Sequence, residues 1–119
     1  MMLNLKQVQI ATAIGTVLQL AMVIAGHYVP AVSALFAVGG MAISAIAGVL
    51  YGRGTANLGG AALGGAIAGG VCALIGIAVS CALGDVDAMV LVFGTLASAV
   101  TGLIGGLIGR FVPGARATA

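Results

Sequence analysis

The chain has 119 residues, 62% of them hydrophobic and only 5% charged, with a formal net charge of +2. A soluble domain carries about 25% charged residues, so four basic and two acidic side chains exclude a water-exposed surface. The net charge is also too small to suggest a nucleic-acid partner. With a mean hydropathy of +1.31, the apolar area is expected to face lipid, which makes this an integral membrane protein with the bilayer as its first partner.

A helix that crosses a hydrocarbon core about 30 Å thick needs about 20 apolar residues, and this length accommodates four spans with short connections. The first is predicted over 7–26. Lys6 precedes it and His27-Tyr28-Val29-Pro30 ends it. Val23-Ile24-Ala25 resembles a weak signal-peptide cleavage site, but a single Lys and a long apolar stretch favour a span. Its polar residues Gln9, Thr12, Thr16 and Gln19 follow steps of three, four and three, which predicts a stripe on one helical face. An amide in hydrocarbon is costly unless bonded. The stripe is therefore expected to bond neighbouring helices or to line a polar path, with Thr95, Ser98 and Thr101 as candidate partners.

The second span is predicted over 30–51, with Pro30 in its first turn. Gly40, Ser44, Gly48 and Gly52 recur every four residues along it. Gly52-Arg53-Gly54-Thr55-Ala56-Asn57 is the polar loop that follows; it lacks the lysine and spacing of a nucleotide-binding loop. The third span, 58–83, carries Gly60, Gly64, Gly65 and Gly69. Glycines on several of its sides place it at the centre of a bundle or an oligomer. Cys72 and Cys81 fall in this span, too far apart along a helix for an internal disulfide. They read as small buried side chains, with a bridge between subunits at Cys81 as the alternative.

Gly84-Asp85-Val86-Asp87 turns the chain into the fourth span, 88–110, which carries Gly102, Gly105, Gly106 and Gly109. Pro113 and Gly114 are expected to stop it. Each small-residue series is a ridge that lets helix backbones approach closely in lipid, within one chain or between subunits.

Lys6, Arg53, Arg110 and Arg116 fall at one membrane face of this arrangement, and Asp85 and Asp87 at the other. Because cytoplasmic loops carry the excess of Lys and Arg, both termini are expected in the cytoplasm, with the protein in the inner cell membrane. Shifting the sequence by 57 residues aligns Ala25–Ala31 with Ala82–Ala88, Phe36 with Phe93, and Gly52-Arg53 with Gly109-Arg110. The fold predicted is therefore all-α, four transmembrane helices as two tandem hairpins (7–53 and 58–110) in parallel orientation, packed through glycine, in a single membrane domain.

No Asp, Glu, Lys or Arg falls in mid-span. Proton-driven exporters and rotary proteolipid subunits need such a group, so the sequence argues against both. His27, Asp85 and Asp87 form a candidate outer-face cluster for a metal or a proton. The competing reading is capping by Asp87, a solvated Asp85 and interfacial anchoring by Tyr28. No cofactor and no nucleophile–base arrangement is evident. The residues point to a non-enzymatic, self-associating membrane subunit, structural or pore-forming, of a holin-like or apolar pilin-like kind. The alternative is a small channel or transporter for a neutral or weakly polar solute.

Overall fold

The computed structural model describes residues 3–55 and 57–112, and among them it is all-helical, with no strand. The helices are α1 (Leu5–Tyr28), α2 (Pro30–Ser33), α3 (Phe36–Arg53), α4 (Leu58–Ala82) and α5 (Ala88–Arg110). All but α2 are long and apolar enough to cross a membrane. Pro113, Gly114 and Arg116 lie outside the described residues. The bundle measures 45 × 22 × 20 Å, which matches four upright helices of this length.

The helix ends follow from local chemistry. Asn4 caps α1 by accepting from the Gln7 amide, Asn57 caps α4 through the Gly60 amide, and Asp87 caps α5 through Met89 and Val90. Each supplies an acceptor to amides that have no partner inside the helix. The end of α4 is a Schellman turn. Gly84 takes a positive φ of 80°, which an L side chain resists. Its N–H donates to Cys81 O and that of Asp85 donates to Ser80 O, the paired bonds that close such a turn.

The second span departs from the expected continuous helix over 30–51. α2 is a single turn behind Pro30, and the chain bends at Ala34–Leu35 before α3 begins. The bend holds neither proline nor glycine, so local propensity does not set it. α2 packs on α1, whereas α3 leans onto α4 and α5 as well, and one straight helix cannot follow both directions. α3 is left with 18 residues, or about 27 Å of rise, still close to the bilayer core.

Two halves of the bundle differ in packing. In the half nearer Arg53 and Arg110, backbones touch through glycine. A methyl on Gly48 would strike the Gly102 carbonyl and stand 2.9 Å from Gly106 N. One on Gly69 would stand 2.7 Å from Gly102 Cα and 3.0 Å from Ser44 O. Gly105 lies against Ala45, Gly109 against Val49, and Gly106 against Ala61 and Gly65. Gly64 leaves room for the Tyr51 ring, which is 1% exposed and accepts a hydrogen bond of 3.1 Å from the Asn4 amide. In the half nearer Asp85, glycines meet long side chains instead. Gly39 faces Met22 Sδ, and Gly94 faces Ile77 Cδ1, both at 2.7 Å from a built Cβ. Helices therefore converge at one end of the bundle and spread at the other.

Candidate functional site

The spread half holds a partly open cavity of about 470 Å³, within the range of about 300–1,000 Å³ common for small-molecule sites. α1 contributes Gln19, Met22 and Val23, and α3 contributes Phe36, Gly40 and Met41. α4 adds Ala73, Ile77 and Ser80, and α5 adds Val90, Phe93, Ala97 and Ser98. The walls are mostly apolar, and the polar groups are Gln19, Ser80, Ser98 and, at the mouth, Asp85. α1 has no substantial contact with α5, so the cavity occupies the gap between these two helices.

Gln19 forms the floor and is 2% exposed. Its Nε2 donates to Gly40 O at 3.0 Å and to Ser44 Oγ at 3.3 Å. Ser44 Oγ donates onward to Gly69 O at 3.0 Å. Cys72 completes the node, its Sγ 3.8 Å from Gln19 Nε2 and 3.3 Å from Gly69 O. The node ties α1, α3 and α4 together. Because Gly40 O can only accept, the amide orientation is set: NH2 to α3 and Oε1 away from that carbonyl. Ser80 Oγ on the cavity wall is buried without a partner, with the residue 2% exposed.

The predicted stripe of α1 divides. Gln19 faces the core, Thr12 and Thr16 are half-buried, and Gln9 is exposed. At 100° per residue Gln9 and Gln19 stand roughly 80° apart around the axis, enough to send one to the surface while the other is central. Thr12 and Thr16 Oγ1 have no hydrogen-bond partner, nor does Thr95 Oγ1. The expected partners on α5 do not bond α1. Thr101 Oγ1 donates to Ser98 O of its own helix at 3.0 Å, the back-bonding common to Ser and Thr in helices. The partners of Gln19 are instead Ser44 and Gly40, residues read from sequence only as a packing ridge. Tyr51 and Cys72 were likewise not singled out as members of polar contacts. Spacing along one helix carries no signal of which neighbour it meets.

At the mouth, His27 Nδ1 and Asp85 Oδ2 are 2.9 Å apart, and the His27 ring meets Tyr28 edge-on at 5.0 Å. The Schellman turn aims Asp85 back toward α1. Asp87 is not part of this pair, being engaged as the α5 cap, and Cys81 Sγ reaches Asp87 O at 3.5 Å. Among the described residues no group of three or more metal-ligating side chains occurs, so the outer-face trio does not assemble as a metal centre. Lys6, Arg53 and Arg110 stand at the other end of the bundle, in the tightly packed half.

The described residues form an all-helical bundle with four helices long and apolar enough to span a membrane and a largely apolar cleft among them. No protein-family model, curated protein or solved structure matches the chain.

Proposed function

We propose that this chain is a non-enzymatic membrane protein that binds a small neutral or weakly polar solute in the chamber between α1 and α5 and moves it across the bilayer. The observation that carries this reading is the 470 Å³ cavity with polar groups at its floor and wall. Sites for small molecules pair an apolar lining with a few placed polar atoms. Here Gln19 and Ser80 provide them, and the unpartnered Ser80 hydroxyl offers a hydrogen bond to a guest. No charged side chain lies deep in the chamber, which suits an uncharged solute, since an ion would enter a low-dielectric site without compensation. Toward the Arg53 end the glycine contacts close the path, so this conformation is open on one side.

The self-association reading rests on the small-residue ridges. Gly48, Gly60, Gly64, Gly65, Gly69, Gly102, Gly105, Gly106 and Gly109 are buried within the single chain and Gly40 is half-buried, so packing inside one chain already employs most of these ridges. The duplicated-hairpin reading rests on the 57-residue self-alignment of the sequence. The end with Lys6, Arg53 and Arg110 is assigned to the cytoplasm of the inner membrane by the bias of positive residues.

Filling the chamber is the test. Ala97→Phe is expected to abolish binding of a small uncharged environment-sensitive fluorophore, and solute flux in proteoliposomes, while helicity and elution volume in detergent stay unchanged. A folded Ala97→Phe variant that binds and conducts like the parent would sink the proposal.

A further inference from the structure

The tightly packed end of the bundle holds a second crevice, of about 170 Å³, between the start of α1 and the end of α3. Gln7, Arg53 and Gly54 form its polar rim, and Ile10, Ile14 and Leu50 its deeper wall. Arg53 Nε is buried there without a hydrogen-bond partner. Arg53 as a whole is half-buried, so its guanidinium can meet an anion at the rim, and the two acidic side chains of the chain, Asp85 and Asp87, both lie at the opposite end.

We propose that this crevice binds the phosphate of an anionic phospholipid, with Arg53 as its cation and Gln7 as a flanking amide donor. The guanidinium fork matches phosphate oxygens in geometry and charge. Gly54 is what makes the rim compact: a side chain on it would collide with Gln7 Nε2, so the Gln7 amide rests directly on the backbone beside Arg53. Arg53 ends α3, the depth at which headgroups sit. Below it Ile10 and Ile14, four residues apart and hence on one face, are 45% and 42% exposed and provide a track for an acyl chain. A free phosphate ion would use the rim and ignore this track; a lipid uses both. This site is independent of the chamber and of the transport reading.

The experiment measures thermal stabilisation and retained lipid by native mass spectrometry for protein in neutral detergent. It is supplied in turn with phosphatidylglycerol, phosphatidylcholine and inorganic phosphate. The expected result is one phosphatidylglycerol per chain, bound about tenfold more tightly than phosphatidylcholine, as a charge-assisted pair implies. Arg53→Gln should erase that preference, and Lys6→Gln and Arg110→Gln should keep it. Gln7→Ala, which leaves the cation in place, is the second variant and should weaken the preference while circular dichroism stays unchanged. Equal binding of both lipids, an undiminished preference in folded Arg53→Gln or Gln7→Ala, or the same stabilisation by inorganic phosphate alone would each overturn the proposal.

Discussion

Gln19 and Gln9 share a residue type and a helix, yet they have opposite surroundings. Gln19 sits in a node of Gly40, Ser44 and Cys72, whereas Gln9 is exposed. Interhelical hydrogen bonds in membrane proteins average only about 0.6 kcal/mol, because the alternative state also finds partners. Gln19→Leu is therefore expected to lower stability by about 1 kcal/mol, leave the protein folded, and remove solute binding by taking the amide from the chamber floor. Gln9→Leu should change neither. Thermal melts in detergent together with fluorophore titration check both variants, and a Gln9→Leu variant that loses binding would relocate the site. The polar stripe was legible in sequence as a face of α1, but the 80° that separates its ends became meaningful only once neighbours occupied one side.

Helix α5 shows what glycine does at the level of an element. Gly102 and Gly106 meet both α3 and α4, while the nearest atoms to Gly105 and Gly109 are on α3, so three backbones come within van der Waals reach of one another. In lipid this contact holds the helices, since apolar side chains gain nothing by leaving hydrocarbon for protein. Gly105→Leu places a branched side chain against the Ala45 carbonyl and is expected to cost about 1–3 kcal/mol as overpacking. It should be read as a lower melting temperature and separation of α3 from α5. Gly59→Leu, on an exposed position of α4, should have little effect. Equal melting temperatures for the two variants would remove glycine contact as the source of rigidity at this end. The same helix is bulky in its first half, where Val90 and Phe93 border the chamber. Glycine at one end and large side chains at the other open the bundle into a wedge.

At the scale of the whole molecule, charge is sorted lengthwise. The Lys6, Arg53 and Arg110 end opposes the His27 and Asp85 end, and the two cysteines report on this axis. Cys72 is buried in the node and Cys81 is half-buried near the Asp85 turn. In intact cells a membrane-impermeant maleimide should label Cys81 and spare a cysteine introduced as Thr55→Cys in the Arg53 loop. Inverted membrane vesicles should give the reverse, and labelling of Thr55→Cys from outside would turn the protein over. The His27–Asp85 pair is partly exposed, and pairs of this kind contribute at most about 1 kcal/mol. It positions the mouth more than it holds the fold.

Composition and periodicity alone determined that four helices are long and apolar enough to cross a membrane, and most of their limits. The requirement is one of length and hydropathy: a backbone in hydrocarbon must bond within its own helix, and that condition is local. The cap at Asp87 and the turn at Gly84 were legible for the same reason. Tertiary structure decided which ridge meets which helix, the bend that splits α2 from α3, the pairing of His27 with Asp85, and both cavities. These depend on how far helices stand apart, and that distance is a joint property of side chains on several elements. No single helix encodes it, because a glycine at one position closes a gap only where its neighbour is also small.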